Sequence, residues 1–173
     1  MPSLLGPLFC ASMLAILTVG SPARLFTLPA VNEDVAKSLI NHDAVSLGDF
    51  IQPGARVPTN VVVLFFFDRG AGGADLVTLN KMARRHAKAK VQFLAISADK
   101  GEPKAFAEWV ELQRLTFPVL RDPHGIVISR YEIEKLPLTI IVDADGRMVS
   151  IGNPTGSTLE SEIDAGISML VDR

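Results

Sequence analysis

The chain has 173 residues, room for one domain and a targeting segment, and a composition of 48% hydrophobic and 21% charged residues argues against disorder. A formal net charge of -2, with no basic cluster interleaved with aromatics, removes the electrostatic case for nucleic acid as a partner. The single cysteine, Cys10, lies in an apolar N-terminal run; without that run the domain has no thiol for a disulfide, a Cys-based metal site or a Cys nucleophile.

Residues 1–23 carry no charged side chain. Leu14 to Val19 form the apolar centre, and Ser21 and Ala23 are small residues at signal-peptidase spacing. The segment reads as a signal peptide, with an uncleaved membrane anchor as the alternative; contact with a membrane is expected only through it. Residues 24–173 then form the domain, outside the cytoplasm.

Leu25 to Pro29 reads as a short strand, and Asn32 to Asp43 as a short helix or a surface insertion. Val45 and Leu47 alternate before a Pro- and Gly-containing loop. Val61 to Phe67 is a continuous apolar, β-favouring run, as in a central strand covered on both faces. A helix follows the loop from Asp68 to Gly73, with Leu76, Leu79 and Ala83 on its inner face and Lys81, Arg84, Arg85, His86 and Lys88 on a solvated one. Val91 to Ser97 is a second buried strand, and Pro103 opens a helix carrying Phe106, Trp109, Val110 and Leu115. Phe117 to Leu120 is extended, Arg121 to Gly125 a turn, and a short helix passes Val127 and Tyr131. Leu138 to Val142 and Met148 to Ile151 flank a hairpin turn, Asp143 to Gly146. A last helix starts at Ser157, with Glu160 at capping-box spacing.

In this order, these phrases resemble the thioredoxin superfamily, and within it the exported redoxin branch of TlpA/ResA-type thiol–disulfide oxidoreductases and peroxiredoxins. Phe26 to Pro29 match the opening phrase, Val45, Ser46, Leu47 and Phe50 the next, and Val62 to Phe67 the strand that delivers the active site. Phe117 to Gly125 match the family's FPVL-DP-G phrase, and Leu136 to Gly146 its proline loop, strand and hairpin. The resemblance implies an α/β thioredoxin-like fold, a central mixed β-sheet with helices on both faces.

It also implies where the chemistry has gone. The family's Cys-x-x-Cys falls on Ala71, Gly72, Gly73 and Ala74, so both sulfur positions hold alanine, and the buried acid that assists exchange falls on Phe65. On a peroxiredoxin alignment the Pro, Thr and Cys of the peroxide site fall near Asp68, Gly72 and Asp75, and none matches. What remains is Pro137, at the cis-proline position, and the backbone before it, which in the family pairs with an extended peptide. Gly70, Leu136 and Pro137 are therefore the candidate peptide-binding residues. The expected function is a redox-inactive binding module for a protein or peptide. The alternatives are a redoxin acting only with a partner's thiol and a structural subunit of an envelope complex. No catalytic residue, metal or cofactor is expected: His42, His86 and His124 lack ligand spacing, and Asp143 with Asp145 is a hairpin turn.

Overall fold

A computed structural model describes residues 17–51 and 53–171. Residues 1–16, which contain Cys10 and most of the expected export segment, lie outside the described part. In chain order come β1 (Thr27–Pro29), α1 (Glu33–Ile40), β2 (Ala44–Ser46), β3 (Val61–Phe67), α2 (Leu76–His86), β4 (Val91–Ser97), α3 (Pro103–Leu112), β5 (Val119–Arg121), α4 (Ile126–Arg130), β6 (Leu138–Asp143), β7 (Met148–Gly152) and α5 (Leu159–Val171). Among the described residues no helix is long and apolar enough to cross a membrane.

The main sheet has the order β5-β4-β3-β6-β7. β3 and β4 run parallel, as do β4 and β5, while β6 runs antiparallel to β3 and β7 to β6. All seven residues of β3 are buried, which explains why its sequence is apolar throughout and not alternating. Val62, Leu64 and Phe66 face a core closed by β1, β2, α1 and α4. Val61, Val63, Phe65 and Phe67 face a second core closed by α2, α3 and α5. The sheet is mixed and carries helices on both faces, as the sequence implies.

The stretch after β1 is a helix. α1 buries Ala36 and Ile40, carries Glu33 and Asp34 in its first turn, and ends on Asn41 in the left-handed region at φ 61°. Asn32 ties its start to the sheet edge: the side chain donates to Phe117 O at 2.9 Å and accepts from Val119 N at 2.8 Å. α5, in contrast, begins at Leu159 and not at Ser157. Thr158 takes the position before it, its hydroxyl accepting from Thr155 N at 3.3 Å, so the Ser157–Glu160 capping box is not formed. Gly166 lets α5 lie close on β6, since a Cβ there would run into Ile141 Cδ1.

The residues before β1 are built into the sheet edge. Gly20 N donates to Met148 O at 2.7 Å, Met148 N to Ser21 O at 2.9 Å, and Ala23 N to Gly146 O at 2.7 Å. Ala23 is itself buried, and buried Tyr131 donates its hydroxyl to Arg24 O at 2.7 Å. The expected boundary at residue 23 thus falls inside a packed strap that pairs with the β6–β7 hairpin and the first residue of β7. A chain beginning at residue 24 will melt below one beginning at residue 17. Loss of those three bonds, at about 1 kcal/mol each, predicts a deficit of roughly 2–3 kcal/mol in denaturant titrations.

Candidate functional site

β3 ends at Phe67, and the chain turns at once. Asp68 N donates to Ala71 O at 3.0 Å, while Ala71 N is shared between Asp68 O at 3.2 Å and the Asp68 carboxylate at 2.7 Å. Gly72 sits at φ 94°, and Asp75 N then donates to Gly72 O at 3.0 Å, opening the 3-10 turn Gly73–Asp75 that leads into α2. A Cβ at Gly72 would lie 2.8 Å from Pro137 Cβ, 3.0 Å from Phe65 Cζ and 3.1 Å from Phe67 Cβ. Glycine is required there twice, by its backbone angle and by the closeness of the proline. The loop is therefore self-satisfied: its Ala71 N–H already holds a carboxylate, which leaves little reason for it to bind an anion.

Of the four redox-motif positions, Ala71 and Gly72 are half-buried, Gly73 is buried and Ala74 is exposed. Phe65, beneath them, is 1% exposed and stacks on Phe67 with centroids 6.0 Å apart. No proton can be held at that place. Asp75, the position a peroxidatic thiol takes in the alternative alignment, accepts from Gly156 N at 3.0 Å and so pins the loop before α5 instead of reacting.

Across from Gly72 stands the proline loop. The Leu136–Pro137 peptide is cis. Asn153, just past β7, donates to Pro137 O at 2.6 Å and to Lys135 O at 3.3 Å. The carbonyls on both sides of Leu136 are thereby fixed, while no hydrogen bond to the N–H or C=O of Leu136 itself is present among the described residues. A cavity of about 530 Å³, lined by Leu17, Ile133, Lys135, Leu138 and Asn153 among others, adjoins this ledge. The structure thus brings Pro137 against Gly72, with Leu136 next to it. Gly70 is exposed, and its close contact is Asp68. Asn153 was not singled out by the sequence, where it is one polar residue before Pro154 with no motif around it.

On the other side of the loop, Arg69 holds Asp99 through Nε at 2.7 Å and Nη2 at 3.3 Å. Burial pushes the Asp99 carboxyl up, but the Arg69 guanidinium and the Gly101 amide together hold it below the ordinary value. Arg121, at the end of β5, donates through Nη2 to Gly101 O. Both guanidinium carbons lie 5.9 Å from the Phe106 ring centroid, and Phe106 stacks on Trp109 at 5.8 Å. Trp109 is partly buried.

The remaining residues singled out from the sequence find structural places, so two readings change. Arg85 is exposed, as expected of the solvated face, whereas His86 is partly buried. Arg85 bridges Glu160 at 2.5 Å and Asp164 at 2.6 Å, and His86 Nε2 lies 2.7 Å from Asp164, clasping α2 to α5. Asp122, read as a turn residue, is 2% exposed and accepts from the N–H groups of Ile126, Val127 and Ile128, which starts α4. His42 and His124 are exposed. Asp143 Oδ1 accepts from Asp145 N and Arg147 N within the hairpin. Among the described residues no group of three or more His, Cys, Asp or Glu is placed to hold a metal.

Comparison with known proteins agrees with this geometry. A model of the AhpC/TSA family matches residues 19–151. The thiol-disulfide oxidoreductase ResA of Geobacillus kaustophilus is 30% identical over 94 residues, 53% of this chain and 53% of its own; the chain spans about half the length of the curated relatives it matches. A structure from Chlorobium tepidum, provisionally described as thiol:disulfide interchange protein DsbE, superposes with TM-score 0.72 at 20% identity, over 90% of this chain and 99% of that one. The thioredoxin domain of a thiol-disulfide oxidoreductase from Bacteroides vulgatus gives 0.66 at 18% identity, over 87% and 99%. The fold is thioredoxin-like.

Two outcomes follow from the loop and its ion pair. Gly72→Ala will cost about 1–3 kcal/mol in unfolding titrations, because alanine at positive φ meets the Pro137 ring. The Asp99 carboxyl lies below its ordinary 3.8 when folded, so its stabilisation is complete above that value and is lost as pH falls through the folded one. Unfolding curves taken between about pH 3 and 6 will fall more steeply on the acid side for the natural chain than for Asp99→Asn.

Proposed function

The chain belongs to the AhpC/TSA family, and we propose that it serves there as a redox-silent redoxin that holds an extended protein or peptide segment. Thiol–disulfide exchange and peroxide reduction both need a thiolate, and Ala71 and Ala74 stand where the resemblance puts the sulfurs. Phe65 removes the proton relay, and Asp75 is committed to Gly156.

The observation that carries the binding reading is the ledge at Leu136. Its N–H and C=O have no partner among the described residues, while Asn153 holds the carbonyls on either side. An extended segment laid along it would gain main-chain hydrogen bonds by strand addition, and the adjoining cavity would take a side chain. None of these groups is sulfur. Residues 1–23 supply the route out of the cytoplasm in this reading, as cleaved signal or retained anchor, and the relatives' name of thiol-disulfide oxidoreductase describes a chemistry this chain has given up.

The test is an insulin-reduction and peroxide-consumption assay on the purified chain, beside the Ala71→Cys/Ala74→Cys double variant. The natural chain is expected to give no turnover and the double variant to regain some; turnover by the natural chain would sink the proposal. Binding is read from the fluorescence of Trp109, the one tryptophan, during titration with capped Val/Thr-rich peptides. Asn153→Ala should weaken it about tenfold, the equivalent of one well-made hydrogen bond.

A further inference from the structure

β5 covers only part of β4. The two pair from Ala95↔Val119 to Ser97↔Arg121, whereas β3 pairs with β4 from Val91 onward. Val91 to Leu94 therefore have a strand on one side only. In a parallel ladder, alternate residues turn their N–H and C=O towards the same neighbour. Ala95 N donates to Pro118 O at 3.1 Å, so the groups of Val91 and Phe93 face the uncovered side. Gln92 Nε2 donates to Phe93 O at 2.8 Å. The Phe93 N–H and the Val91 C=O have no partner on that side among the described residues.

The chain that would close this gap is held away from it. Just before β5, Thr116 donates its N–H and its hydroxyl to Asn80 Oδ1 of α2, at 2.8 and 2.9 Å. Asn32 takes Phe117 O and Val119 N on the side away from β4. A cavity of about 490 Å³ opens in the notch. Leu39, Val57 and Pro58 wall it from one face of the sheet, and Ala83 and Ala87 of α2 from the other. Each of these five is half-buried or exposed. The charged residues of the lining are Arg84 and Lys90, both exposed, and no carboxylate lines it. Neither cation has a carboxylate within 4.0 Å among the described residues. An apolar slot with an open strand edge and unpaired cations is complementary to an extended, acid-bearing chain.

We infer that this notch is a second docking slot, and that it takes an extended protein segment carrying an acidic side chain. A residue of that segment opposite Gln92 donates its N–H to Val91 O and accepts from Phe93 N, prolonging downwards the parallel pairing that β5 makes with β4. Its apolar neighbours fill the cavity, and its acid meets Arg84 and Lys90. The slot lies at the opposite end of the sheet from Pro137, since Val91 pairs with the first residue of β3 and Leu138 with Phe66 near the last. It is therefore independent of the Leu136 ledge.

The experiment uses the full chain and capped six-residue Val/Thr peptides carrying one Glu, each paired with its Gln version. Binding is read by calorimetric titration and located by hydrogen exchange at the Phe93 amide. One Glu peptide should bind about tenfold tighter than its Gln pair and slow exchange at Phe93. That gain should vanish at about 0.5 M NaCl and in the Arg84→Gln/Lys90→Gln double variant, and persist in Asn153→Ala. If the double variant does not fold, the salt series and the Phe93 exchange on the natural chain still decide. Equal binding within every Glu/Gln pair would overturn the inference. So would a gain that survives Arg84→Gln/Lys90→Gln, which assigns the acid to other cations, or one lost in Asn153→Ala, which moves the segment to the Leu136 ledge. Binding of decanoate with binding of no peptide would overturn it as well, by giving the slot to a free aliphatic acid.

Discussion

β3 is buried along its whole length, and each part of the site takes its position from one of its ends or flanks. Its side chains alternate between two cores, so register is fixed from both faces at once; a slip of one residue would send Phe65 and Phe67 into the space shaped for Phe66. This rigidity is what delivers Asp68 to a defined point, lets Gly72 press on Pro137, and sets β4 and β6 on either side with their own loops at the same edge. A strand covered on one face only would leave that edge free to shift, and the contacts around Gly72 would not hold.

Much of this was readable in the residues. The seven-residue apolar run from Val61, the second from Val91 and the hairpin at Asp143 are strong local signals, and the structure places strands at Val61–Phe67 and Val91–Ser97. The helix after β1 was harder, because Glu33, Asp34 and Lys37 make it polar and only Ala36 and Ile40 are buried. Ser157 and Glu160 have the spacing of a capping box, yet α5 begins at Leu159, after a turn in which the Thr158 hydroxyl bonds back to Thr155. Asn153, the Arg85–Asp164 clasp, the Arg69–Asp99 pair and the Arg121–Gly101 contact are not legible in the sequence. Each joins residues far apart in sequence, and single polar side chains carry no periodicity that would announce them.

The loop after β3 is held by its own hydrogen bonds and by close packing. A self-bonded turn ties Ala71 back to Asp68, glycine at φ 94° fits against the proline, and Phe65 with Phe67 fills the space below. The side chain under the loop is the buried ring of Phe65, and the Ala71 donor is already used. The Asp99 carboxylate close by is likewise bound on two sides, to Arg69 and to Gly101.

What survives such a change depends on which atoms do the work. Reactivity in this fold belongs to side chains, two sulfurs and a buried acid, and a substitution removes it outright. Strand addition belongs to the backbone, and no substitution at the motif positions touches Leu136 N–H or C=O. The ledge also has its own support in Asn153, on the far side of the proline from the redox loop, so its geometry does not depend on the sulfurs. Trp109, which packs against Gly73, is anchored in α3, again apart from the motif. In the proposed reading, loss of thiol chemistry and retention of strand addition are therefore separable, because each needs different atoms.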